Sequence, residues 1–378
     1  MDLRAILSGK QWTLHRPNGD IRSPSVRFES GGEIVGYTHI NETRWDLEDG
    51  KLVFRHADGH VTARAGDVTT EDGRYTIFMM CGEDASARAH FLVERQAPIA
   101  DFIACRSLSE ILDLARTHRA FGGNGKLGMP GFTPPVIDTL EIIEVSAATL
   151  PRLADVGVRV AGSFGARNAI IVDRAMPRIV NLTITFNGHG YNTVLLDKAC
   201  RIRGSLNFEG SENLVIAGVT CPARDIRLTA NFRYNAAGLL FGQGGSAGEI
   251  NLWIEGPERS VQIGDDFMFS WGIWLRTADS HGMIDLESGA IANPSRSIVI
   301  GPHVWLGQDV IVMPGGMVGG GSVVGARAIV TKPVPENCVA VGSPAHSVRE
   351  RTSWTRNAHP TDEEIRELQN WARNSRAT

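Results

Sequence analysis

Cysteine is sparse in this sequence and badly placed for chemistry. The five residues, Cys81, Cys105, Cys200, Cys221 and Cys338, are odd in number, widely separated and free of any CxxC pair. That excludes a disulfide framework or a cysteine-rich zinc site and points to reduced thiols in a cytoplasmic protein. No apolar run approaches the roughly 18 residues a membrane-spanning helix needs. The opening MDLRAILSGKQW lacks a basic segment, an apolar stretch and a cleavage site, so no secretory signal is expected. Positive charge is scattered: no Lys/Arg run exceeds two residues and the formal net charge is −4. Neither nucleic acid nor an anionic membrane surface is therefore expected as a partner. Aromatic residues make up only 7%.

What is abundant is glycine, 42 residues in 378, a level that calls for many tight turns or close backbone approaches and argues against a helical bundle. The length implies two or three units. Residues 1–105 read as an antiparallel β-domain, with short strands punctuated by Gly31-Gly32, Asp49-Gly50, Asp58-Gly59 and Asp72-Gly73. Its Trp12, Trp45, Phe54 and Phe78 are expected in the core rather than on a carbohydrate-stacking face. Residues 106–180 read as a helix and connector: Ser107 and Glu110 form a capping box before a short helix, and FGGNGKLGMPGFTPP reads as an exposed loop. The Gly122–Gly125 cluster lacks the ending of a phosphate loop. From about 140 to 260, pieces such as LEIIEV, NAIIV, IVNLTITF, NTVLL and NLVIAGV look like strands, and Leu228, Leu240 and Leu252 fall twelve apart among irregular neighbours. Residues 181–345 are assigned to a parallel β-helix and 346–378 to a tail whose helix begins at the Thr361–Glu364 capping box.

One repeat decides the fold class. Ile300, Leu306, Val312, Val318, Val324 and Val330 stand six apart, each preceded two residues earlier by Ile298, Val304, Val310, Gly316, Ser322 or Ala328. Glycine follows four of the six aliphatic positions, at Gly301, Gly307, Gly319 and Gly325. A helix cannot hold a six-residue period on one face, and a flat sheet does not require glycine at its corners. Short extended segments separated by sharp corners fit, three to a triangular coil of eighteen, with coils stacked through parallel hydrogen bonds. The spacing continues upstream through Ile263, Phe269 and Leu275, and then fails. From Leu275 to Ile300 there are twenty-five residues, so RTADSHGMIDLESGAIANPSRS should contain a loop ejected from the coil.

Four stretches, IGDDFMFSWGIWLRTADSHGMID, NPSRSIVIGPHVWLGQDVIVMPGGMVG, GSVVGARAIVTKPVP and AVGSPAHSVRERTSW, together resemble the hexapeptide-repeat acyltransferases, especially O-acetyltransferases of bacterial polysaccharides and sugars. The resemblance covers about 260–354. It implies a left-handed β-helix, a homotrimer with active sites between subunits, acetyl-CoA as donor without a metal, and a sugar or glycan as acceptor. It implies His281, in the DSH segment, as general base, with Asp279 or Asp285 orienting its ring, and imidazole titrates in the useful range. Trp305 should point outward near that histidine. Trp271 and Trp274 either pack or line the sugar site, with Asp285 as a further substrate contact. Gly307 and Gly325 stack to give a strip for pantetheine, with amides near Gly325 and Ala326 as partners, and Lys332 and Arg349 supply charge to the nucleotide phosphates. The ending GSPAH departs from the family's usual form at Ser343 and His346.

Three rival readings remain. An N-acetyltransferase acting on an amino-sugar nucleotide would share the scaffold. A zinc carbonic anhydrase needs three convergent histidines, whereas His281 and His303 lack a third. A non-catalytic glycan-binding protein would leave the DSH loop unexplained.

Overall fold

The computed structural model describes residues 2–15, 21–35, 42–71, 74–81, 90–95, 100–121, 131–163, 167–176, 181–187, 190–218, 220 and 225–374. The Gly122–Gly125 cluster, the Asp72-Gly73 turn and Cys221 lie outside them. The chain divides into two compact units, Met1–Ile99 and Ala100–Thr378. No helix among the described residues is long and apolar enough to cross a membrane.

In the first unit, eight antiparallel strands form one sheet in which Trp12–His15 pairs with both Ile21–Phe28 and His90–Glu94. The sheet's two ends meet, because Glu33 bridges Arg44 and the Trp45 amide donates to the Gly32 carbonyl at 2.9 Å. A closed barrel leaves no open edge to recruit another chain. Trp12, Phe28, Trp45, Phe54 and Ile77 fill it, joined by Leu7 from the short helix α1 (Leu3–Ser8). Asp49 and Gly50 have φ of 50° and 74°, the double left-handed geometry of a two-residue hairpin. Of the four aromatics expected in the core, Phe78 departs from expectation. It is 37% exposed on the outer face, beside Phe91.

The second unit is a parallel β-helix with three faces. Face one runs from Val158–Gly162 to Ile329–Val330, and face two from Ala169–Asp173 to Met317–Val318 with Leu140–Glu144 added antiparallel. Face three begins only at Ser246–Ala247 and ends with Cys338–Val341 and an antiparallel His346–Glu350. Coil size changes along the stack. Val312 lies beside Val330 and Ile300 beside Val318, eighteen residues apart, as the six-residue period requires. Upstream, partners such as Leu182 and Gly204, or Gly204 and Leu228, are twenty-two to twenty-four apart. The chain visits the faces in one order and adds coils in one direction throughout, so wide and narrow coils share one hand.

The core runs along the axis. All six residues of the aliphatic repeat, and their companions two positions earlier, are buried. In the wide coils Phe186, Phe208 and Phe232 stack at 5.5 and 4.7 Å between centroids, and Asn168, Asn192 and Asn213 form a buried amide ladder. The ladder answers a need of the corners, where buried backbone amides have no sheet partner. Asn213, for example, accepts from the Ala237 amide.

The stretch read as a connector is instead part of this unit. Strands on face two of the wide coils are buried on both sides, because Phe102, Ile111, Ala115 and Phe121 cover Ile171, Leu195, Ile216 and Leu240 from outside. Ile111 and Ala115 belong to helix α2 (Leu108–Arg116), whose Ser107 hydroxyl accepts from the Glu110 amide as a capping residue should. Residues 131–139, the described part of the Gly/Pro-rich loop with its continuation, climb the coils as a strap. Asp265 accepts from the Thr133 amide and hydroxyl, Asp197 from the Val136 amide, and Asp173 from the Asp138 and Thr139 amides.

Candidate active site

The interruption between Leu275 and Ile300 is larger than a simple hexad count suggests. Leu275 pairs with Val312, thirty-seven residues on, so the coil carries nineteen more residues than its neighbour. The excess leaves at the edge between faces one and two within residues 277–297, and the loop is anchored where it leaves. The Thr277 hydroxyl accepts from the Glu255 amide and donates to the Glu255 carbonyl, both at 2.8 Å. Glu255 itself is 4% exposed; its carboxylate accepts from the Ser280 hydroxyl at 2.6 Å and pairs with Arg233 at 3.3 Å.

Beyond Ser280 the loop folds into a hairpin. Ile284 bridges Ile291, the Ala292 amide donates to the Met283 carbonyl, and the Asp285 amide to the Ala290 carbonyl. Asn293 closes its base. Its side-chain amide donates to the Asp279 carboxylate (3.0 Å) and the His281 carbonyl (2.9 Å), and accepts from the Met283 amide (2.6 Å). His281 is exposed, and among the described residues its imidazole has no partner within the chain. The surrounding loop is apolar: Met283, Ile284 and Ile291 are more than half exposed and Leu286 is 95% exposed.

Neither expected orienting carboxylate reaches the ring. Asp279 is held by Asn293. Asp285 accepts from the Ser288 amide and hydroxyl and the Glu287 amide, contacts that hold its pKa below the ordinary carboxylate value and make it the cap of its own turn.

The remaining expected residues are distributed around the prism. Trp305 is 38% exposed and faces outward, as its place before Leu306 requires, but it stands on face three. In a triangular coil that face lies opposite the edge bearing His281, so one chain does not bring the two together. Trp274 projects from face one between Asn251 and Ile311, on the strand that leads into the loop. Trp271 lies over Gly248 with Arg227 5.6 Å from its ring centroid, which gives it a packing role. Gly307 and Gly325 do stack, but at the edge between faces three and one, and Gly307 is buried. A Cβ at Gly307 would stand 2.7 Å from the Ala326 nitrogen, so the repeat's glycine is required by coil stacking itself. Ala326 is exposed beside it; Lys332 is exposed at the edge that carries the His281 loop, and Arg349 on the last strand of face three.

A cluster that sequence reasoning missed lies at the edge between faces two and three. The His303 ring stacks on Trp354 at 4.3 Å between centroids, and its two nitrogens face the Asp266 carboxylate and the Trp354 carbonyl. Arg356 bonds Asp266, the Gly244 and Phe267 carbonyls and the Ser246 hydroxyl, tying the tail to several coils. A cavity of about 470 Å³ between this corner and helix α3 (Asp362–Asn374) is lined by Asp265, Asp266, His303, Arg356 and Trp371 among others. With His303 so engaged at a different edge from His281, the two cannot share a metal. No metal was expected anywhere in the chain, yet His56, Asp58 and His60 at a hairpin turn of the first unit lie close enough to hold one.

Fold and loop together define a class: a hexapeptide-repeat parallel β-helix that presents one histidine on an anchored, ejected hairpin. No family model matches the chain. Over 97 residues, 26% of this chain, it is 40% identical to a polysialic acid O-acetyltransferase of Escherichia coli O1:K1 / APEC, covering 32% of that protein. Over 101 residues, 27% of this chain, it is 49% identical to the galactoside O-acetyltransferase of Escherichia coli K12, covering 49% of it. The chain thus spans about a third to half the length of these curated relatives. Among solved structures, a polysialic-acid-specific acetyltransferase aligns with 58% of this chain and 94% of its own, at 23% identity and a TM-score of 0.45.

Proposed function

We propose that the protein is an O-acetyltransferase that moves an acetyl group from acetyl-CoA to a hydroxyl of a sugar or glycan precursor, with His281 as general base. The observation that carries this reading is the exposed His281 at the neck of an ejected, side-chain-anchored hairpin, in a chain about a quarter of which is similar to sugar O-acetyltransferases. The imidazole accepts the acceptor's hydroxyl proton as the oxygen attacks the thioester carbonyl carbon. The tetrahedral oxyanion then collapses with cleavage of the C–S bond, and the imidazolium returns the proton to the departing CoA sulfur. Backbone amides or an indole N–H aimed at the oxyanion lower the barrier further.

Because Trp305 occupies the face opposite the His281 edge, the site is completed by a neighbouring chain, which a homotrimer with three inter-subunit clefts provides. Trp305 then contributes from the neighbour. In this reading Trp274 contacts the acceptor, Ala326 and Gly325 meet the pantetheine arm, and Lys332 and Arg349 meet the nucleotide phosphates. The reaction is assigned to the cytoplasm, where thiols such as the buried Cys105, Cys200 and Cys338 stay reduced. The test is mass spectrometry of sugars, amino sugars and glycans incubated with acetyl-CoA and the protein. An acetyl ester on a hydroxyl supports the proposal and an amide on an amine supports N-acetyl transfer. Glycan binding without any acetylated product would leave a non-catalytic protein.

A further inference from the structure

His281 is exposed between Ser280 and Gly282, and its ring has no partner among the described residues. Two side chains from outside the His281 segment hold its backbone and flanking side chains. Asn293 binds positions 279, 281 and 283, every second residue around the histidine, using both ends of one amide. Glu255, from the preceding coil, holds the hydroxyl of Ser280, and Arg276 stands 3.4 Å from the same oxygen. Ser280 sits at φ +66°, a left-handed conformation that a serine adopts at a cost and that persists where its surroundings over-determine it. Glu255 is also poorly explained by packing. A buried carboxylate is expensive unless paired, and this one is satisfied by Arg233 on one oxygen and by Ser280 on the other.

We infer that Asn293 and Glu255 are positioning residues for His281, clasping the backbone on both sides of it so that the imidazole is aimed before substrates arrive. Their effect runs through the histidine; neither touches the reacting atoms. The inference rests on the assignment of His281 as base. A displacement of about 1 Å in a catalytic group can cost on the order of 10²-fold in rate, and a loosened clasp should produce a loss of that kind.

The test compares Ser280→Gly, Asn293→Asp and His281→Ala in steady-state acetyl transfer, with thermal unfolding of each. Ser280→Gly suits the left-handed backbone, so the fold is kept while the link to Glu255 is lost. Asn293→Asp keeps the acceptor for the Met283 amide but removes the donor to Asp279 and the His281 carbonyl. Both should lower kcat about 10- to 10²-fold with acceptor and donor KM within about twofold, and should broaden or shift the His281 ring resonance in histidine-labelled protein. Glu255→Gln, which can still accept from Ser280, should retain more activity than Glu255→Ala. Unchanged kcat in Ser280→Gly and Asn293→Asp, with His281→Ala inactive, would overturn the clasp and leave the base in place. Full activity of His281→Ala would overturn the reading on which the clasp rests.

Discussion

At Gly307 a single methyl group separates a packing role from a ligand role. Its absent Cβ would press on the Ala326 backbone, so Gly307→Ala should lower the unfolding midpoint of the second unit by the equivalent of about 1–3 kcal/mol, as overpacking does. Acyl-CoA affinity should follow stability rather than fall by itself, which unfolding and calorimetric titration of the same variant will check. Asp266 offers a test in pH. Burial raises its pKa, but the hydrogen bonds and charges of His303 and Arg356 outweigh burial and hold the carboxyl below its ordinary value. Its stabilising effect is therefore complete above the unfolded value of about 3.9 and is lost as pH falls through the lower folded value. Asp266→Asn should be less stable than the wild type at pH 7 and converge with it on acidification, as read by chemical unfolding across that range. Residue by residue, the choice of His281 rests on the resemblance of the DSH segment, whereas the ejected loop that holds it was legible because the repeat breaks around it. Asn293 and Glu255 were not, since their bonds to residues 279–283 span ten to twenty-five positions and follow no period.

Elements were legible where geometry imposes a period. Eighteen-residue coils with two- or three-residue strands force aliphatic residues into register every six positions, and the run from 298 to 330 displays this openly. The wide coils obey no such rule: their strands run four to seven residues and their corners vary in length, so Leu228 and Leu240, twelve apart, lie on different faces. Strands on face two of these coils read only as apolar because helix α2 and its flanks bury the outer side too, and the cover cannot be inferred from the covered strand. The strap at 131–139 was hidden by its composition. Proline and glycine suggest a free loop, yet one carboxylate from each of several coils holds its amides. Asp197 accepts from the Val136 amide at 2.6 Å and from Gln243 at 3.3 Å. Asp197→Ala should take the acceptor from the Val136 and Ala199 amides at a cost of about 1–3 kcal/mol and should raise hydrogen exchange at Val136 without altering the aliphatic coils.

For the whole molecule, the proposed function requires a second chain at each site. His281 leaves one edge and Trp305 stands on the opposite face, so in the proposed scheme each completes the other across a subunit boundary. Inactive His281→Ala and Trp305→Ala chains, mixed under exchanging conditions, should regain about a quarter of wild-type activity, the statistical share of clefts with both native residues in a cyclic trimer. Sedimentation should give a trimer for both variants. The first unit, a closed barrel with a buried aromatic core, adds no residue to this scheme. The most direct measurement of the central claim is the rate of acetyl transfer by the His281→Ala protein at saturating acetyl-CoA. A fall of about 10²–10⁴-fold with the trimer and donor affinity retained is the predicted result, and turnover equal to the wild type would contradict it.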